Sequence, residues 1–106
     1  DTVTAGIGSS GLARIRNDGT PVWLKQGNMS VVECPRYSPD ERFLYFVDNL
    51  KSGTANPLIK LDGNGTEVER STGRDRLARG PALEGEGDSV YLPRGNGIER
   101  YEADNL

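Results

Sequence analysis

Apolar residues recur along this chain in short bursts, separated by turns rich in glycine, proline and acidic residues. The densest burst, Phe43-Leu44-Tyr45-Phe46-Val47, is aromatic and β-branched and too short for a helix, which predicts a strand buried on both faces. Ser89-Val90-Tyr91-Leu92 is a weaker copy of it. Leu58-Ile59-Lys60-Leu61 predicts another strand, running into Asp62-Gly63-Asn64-Gly65-Thr66, where glycine supplies the positive φ of a tight turn. Val68 beyond that turn, like Val22-Trp23-Leu24 earlier, marks a more polar strand. A fourth stretch, Met29 to Cys34 and Pro35, leads to the turn Ser38-Pro39-Asp40-Glu41, whose counterpart is Glu84-Gly85-Glu86-Gly87. No stretch has helical periodicity. The chain is therefore predicted to be all-β and antiparallel.

These strands repeat. Leu12-Ala13-Arg14-Ile15 recurs as Leu58-Ile59-Lys60-Leu61, 46 positions on. At the same offset Gly19-Thr20 falls on Gly65-Thr66, Val22 on Val68, Gly27 on Gly73, Pro35 on Pro81 and Tyr45 on Tyr91. A third copy begins at Ile98-Glu99-Arg100-Tyr101, 40 positions after Leu58, because the loop from Asn49 to Asn56 is longer than its counterpart at Gly95 to Gly97. The pattern divides the single unit 1–106 into a repeat over about 1–42, a second over about 43–88 and a partial third over 89–106. Four short strands in 46 residues is the size of a β-propeller blade. The predicted fold is thus about two four-stranded antiparallel blades, a segment of a larger propeller or a subunit contributing to one.

The stretch Pro35-Arg36-Tyr37-Ser38-Pro39-Asp40-Glu41-Arg42-Phe43-Leu44-Tyr45-Phe46 resembles the blade repeat of TolB-like propellers, in which a proline and an aromatic precede S-P-D and an apolar strand follows. Gly11 to Gly19, Tyr45 to Asn49 and Gly97 to Tyr101 resemble strands of the gluconolactonase/strictosidine-synthase-like six-bladed propellers. The second resemblance implies a divalent metal, Ca2+ or another, at a central channel, held by Glu, Asn and Asp side chains of innermost strands. Ahead of Tyr37-Ser38 the matching position is Glu33, the implied metal ligand. In the next copy that position is Arg79, a guanidinium where the family has an acid.

Charge and composition narrow the chemistry. A net charge of −3 provides no basic footprint for nucleic acid. No apolar run approaches bilayer length, so no spanning helix is expected. Hydrophobic residues are only 34% of the chain, enough for a thin core. The single Cys34 reads as a small buried thiol. The absence of histidine removes His-based triads and His-ligated metals. The chain opens on Asp1 rather than Met, as a processed product, a domain or a fragment would.

Several residues carry candidate roles. Trp23 has the flat apolar surface that stacks on a sugar ring, against the plainer role of packing on an outer strand. Asn28-Met29-Ser30 and Asn64-Gly65-Thr66 are N-glycosylation sequons in predicted turns. Asp62-Gly63-Asn64-Gly65 lacks the further acidic ligands of a calcium loop and reads as a hairpin turn. Arg14, Lys60 and Arg100 share one repeat position and are expected to be solvated charges on an outward strand face. Glu84, Glu86 and Asp88 read as a solvated turn.

Two functions follow as expectations. One is a binding or scaffold propeller, secreted or periplasmic, that recognises a protein or carbohydrate. The other is part of a lactonase- or lyase-like propeller enzyme, with Glu33 and Asp48 as its local candidates and its catalytic residues mainly in other blades. Propellers close with about four to eight blades, so other blades or chains must complete the ring. The first copy starts at the second strand of a blade and the last stops at the third. Joining tail to head would skip two strands, which favours a segment of a longer propeller over simple head-to-tail assembly.

Overall fold

The computed structural model describes residues 2–7, 11–26, 31–49, 56–72, 80–95 and 97–106, with the backbone alone at 5–7, 26, 31–34 and 49. Among these residues ten strands form three antiparallel meanders. The first sheet is β1 (Thr2–Ile7), β2 (Gly11–Arg16) and β3 (Pro21–Gln26). The second is β4 (Val31–Tyr37), β5 (Leu44–Asn49), β6 (Leu58–Leu61) and β7 (Glu67–Arg70). The third is β8 (Ala82–Leu83), β9 (Ser89–Arg94) and β10 (Gly97–Glu102). The all-β antiparallel class is as expected, with no helix among the described residues.

The repeat extends to fine backbone detail. In the β2–β3 turn Arg16 N–H donates to Thr20 O and Gly19 N–H to Arg16 O; in the β6–β7 turn Asp62 and Gly65 make the same two bonds with Thr66 and Asp62. Gly19 and Gly65 both take left-handed φ, +91° and +82°. A bulge follows in each pair, between Arg14 and Ile15 and between Lys60 and Leu61, 46 positions apart like the residues around them. The β4–β5 and β8–β9 turns match as well. Glu41 N–H donates to Ser38 O in one, Gly87 N–H to Glu84 O in the other, and both donor residues have positive φ.

Strand pairing then fixes which positions correspond. Thr4 lies opposite Arg14, Tyr45 opposite Lys60, and Tyr91 opposite Arg100. By this correspondence the first sheet has no described counterpart of β4, and the third none of β7. The strand counts are accordingly three, four and three. The repeat boundaries near 43 and 89 fall just before β5 and β9, one strand into the second and third sheets.

The second sheet is the middle layer. Its β5 is buried from Leu44 through Asp48, as the dense apolar burst predicted. Alternation sends Leu44, Phe46, Ile59 and Leu61 to one face, where they meet Leu12, Trp23 and Tyr37. Tyr45, Val47 and Leu58 go to the other face and meet Val90, Leu92, Ala103, Leu83 and Tyr101. A chain with few apolar residues thereby fills two thin cores, each shared by two sheets.

Candidate functional site

The cation positions join the sheets. On the first sheet Arg14 donates from Nε to Thr2 Oγ1 at 2.8 Å and reaches across to Gly63 O, at 3.2 Å, in the β6–β7 turn. Its guanidinium also lies 5.2 Å from the ring centre of Tyr37, whose hydroxyl bonds to that of Thr4. On the second sheet Lys60 does the same with the third, donating from Nζ to Ala103 O at 2.8 Å. Gly63 and Ala103 follow their respective third-strand repeats at the same spacing that relates Lys60 to Arg100, so the two bonds are equivalent. The expectation of solvated charge is corrected here: Lys60 is buried and Arg14 half-buried, because a neighbouring sheet covers the face that the strand pattern left open. Only Arg100 of the three is exposed.

Burial of Lys60 is compensated. Its ammonium sits 4.2 Å from the centre of the Phe43 ring and 5.7 Å from that of Tyr45, so two aromatic faces and one carbonyl replace water. The Tyr45 phenol is pushed up to about 12, first by desolvation and then by the carboxylates of Asp104, Glu69 and Asp40. It remains a neutral donor toward Ala103 O.

Above this pair opens a cleft of about 280 Å³ between the second and third sheets. The β4–β5 turn contributes Asp40 and Phe43, the β8–β9 turn Glu86 and Asp88, and the segment after β10 Asp104. The Asp40 carboxyl is held below its usual value by the Ser38 hydroxyl and then by the Arg42 N–H, so it is firmly ionised. The two turns touch at the rim. A Cβ at Gly87 would lie 2.7 Å from Pro39 Cδ, which leaves room only for glycine. The cleft thus has an aromatic and cationic floor beneath an acidic rim, suited to hydrogen-bond donors such as sugar hydroxyls or to cationic side chains of a protein.

The sequence candidates lie elsewhere. Trp23 donates its indole N–H to Gly63 O at 3.2 Å and packs a ring face on Gly65, where a Cβ would come within 2.7 Å. One face of its ring is taken up at the junction between the first two sheets, and the residue as a whole is half-buried. Asp48 is buried at the end of β5 remote from the turns, with its N–H donating to Pro57 O. Glu33 pairs with Val47 and Asp48 with Val32, so the two acidic residues sit at neighbouring register positions. The side chain of Glu33, like those of Cys34 and Arg79, lies outside the described residues, and so does Asn28. Asn64 is exposed at the tip of the β6–β7 turn, where the Asp62 carboxylate accepts from the Asn64 and Thr66 N–H groups. That carboxylate organises a hairpin turn. Among the described residues no three Cys, Asp or Glu side chains gather to hold a metal ion, and no helix is long and apolar enough to cross a membrane.

Lys60 and the rim acids went unnoticed as a group in the sequence. One signal was present: a lysine inside the run Leu58-Ile59-Lys60-Leu61, all four of which are buried, must be satisfied by something. No family model and no curated protein matches this chain.

Proposed function

We propose that this chain is a run of β-propeller blades that acts as a binding scaffold, secreted or periplasmic, for a protein or carbohydrate ligand. The observation that supports the reading is the repeated junction: each of the first two sheets passes a third-strand cation to a backbone carbonyl in the sheet that follows. Stacking by one repeated contact is how radially arranged sheets grow, each layer touching only its neighbours. The cleft between the second and third sheets, with its ionised Asp40 and aromatic floor, is the ligand surface of this reading.

The metal-dependent enzyme reading rests on Glu33, and the two readings part on one experiment. Thermal unfolding is followed in Ca2+, in Mn2+ and in chelator, with Glu33→Gln alongside the parent chain. The scaffold reading expects one Tm in all conditions. A rise in Tm with either ion that disappears in Glu33→Gln would overturn it in favour of a lactonase- or lyase-like segment. Ligand class is read from immobilised glycans and lysine- or arginine-rich peptides, with Asp40→Asn weakening whichever binds.

A further inference from the structure

The chain carries one junction surface more than it uses. Leu12 and Leu58, at equivalent positions of β2 and β6, are each 0% exposed because the following sheet covers them. Ile98, their equivalent on β10, is 72% exposed. The neighbouring cation tells the same story. Arg14 and Lys60 each reach the next sheet, whereas among the described residues Arg100 bonds only within its own, to Ser89 Oγ and near Glu102. At the other end of the stack, the first sheet leaves Val3 and Leu24 exposed on the face turned away from the second. By strand pairing Val3 corresponds to Leu44, which is buried against the first sheet. Among the described residues, three of the four large exposed apolar side chains, all but Val68, therefore lie on these two unpaired outer faces.

We propose that the third sheet docks on the first sheet of a second copy of this chain, repeating the internal junction between molecules. Ile98 then covers the apolar face marked by Val3, and Arg100 donates to the backbone carbonyl of Asn17 in the second copy, the residue equivalent to Gly63. A hollow of about 330 Å³ beside Asn17 and Thr2 leaves that turn accessible. The contact is heterologous, and when it closes after two copies it gives a ring of six sheets, within the range that radial sheets adopt. The strand phase does not forbid it. In the first internal junction Leu12 meets Leu44, Phe46, Ile59 and Leu61, all on second and third strands, and both outer sheets retain those strands. The proposal rests on the scaffold reading, since it extends the same stacking contact.

The test is mass by light scattering over a wide concentration range, with Trp23 emission recorded on the same samples. The expected species has twice the 11.5 kDa chain mass. Ile98→Asp halves that mass at the same concentration, Arg100→Glu weakens association at least tenfold, and both keep the emission of a packed Trp23. A parent chain that stays monomeric with packed-indole emission overturns this inference and leaves the scaffold reading standing. A dimer indifferent to both substitutions, or mass that grows without limit, overturns it too. Water-exposed Trp23 emission in the parent chain instead removes the stacked sheets, and the scaffold reading falls with them.

Discussion

Two glycines at one repeat position isolate the energy of the sheet–sheet junction. Gly19 and Gly65 occupy the same turn with φ of +91° and +82°, yet a Cβ at Gly19 meets nothing within 4 Å while one at Gly65 lies 2.7 Å from Trp23 Cδ2. Gly19→Ala therefore carries only the left-handed backbone cost, about 1–2 kcal/mol. Gly65→Ala carries the same backbone cost and must also push the indole off the turn. Overpacking of that kind costs a further ~1–3 kcal/mol, and the displaced indole loses its bond to Gly63 O. Urea unfolding followed by circular dichroism gives both free energies, and Trp23 emission reports whether the indole has moved. In a Trp23→Ala background the excess cost of Gly65→Ala disappears, since nothing remains for the new methyl to strike. Equal losses for Gly19→Ala and Gly65→Ala, or an excess that survives removal of Trp23, would refute the junction.

Three further outcomes follow. Glu41 holds a left-handed φ of 61° where its counterpart Gly87 has 81°, so Glu41→Gly relieves about 1 kcal/mol of strain and raises Tm in a calorimetric scan; an unchanged or lower Tm counts against the turn. Lys60→Met keeps the apolar stem but removes the shorter of the two bonds to Ala103 O, leaving only that from the Tyr45 hydroxyl, an expected loss of about 1–3 kcal/mol in urea, whereas a loss near zero would mean that the ammonium is solvated. The Tyr45 phenol titrates at about 12 when folded against 10.0 when free, so its contribution is fully present below pH 10 and is lost as pH rises toward 12. Ultraviolet titration of the four tyrosines shows late phenols, since burial and then the bond to Glu99 raise Tyr101 as well, and Tyr45→Phe takes away the Tyr45 share; a titration curve without late phenols would contradict the burial.

Much of the fold was legible because turns and strands are local. Gly65 and Gly19 announce their turns by needing a φ that other residues avoid, and the run Leu44 to Val47 announces a doubly buried strand by having no polar face. The offset between Leu12 and Leu58 carried the equivalences further, down to the bulges after Arg14 and Lys60. What was not legible depends on a neighbour. Period-two alternation places Lys60 on one face of its strand but does not say that a third sheet will cover that face, so a buried cation read as a solvated one. Trp23 shows the same limit, since its partners Gly63 and Gly65 lie 40 or more residues away and nothing nearby in sequence marks them. The cleft acids come from three separate segments, which only the stacking of sheets brings to one rim.

Face-to-face docking of sheets through a repeated junction holds the fold together, and nuclear Overhauser spectra test it at one pair of residues. A Cβ built on Gly65 points into the indole, so the α-proton in its place lies against the ring of Trp23. Docked sheets give cross-peaks from the indole protons to Gly65 and an upfield displacement of that α-proton by the ring current. An ordinary Gly65 α-proton shift with no contact to Trp23 would contradict it.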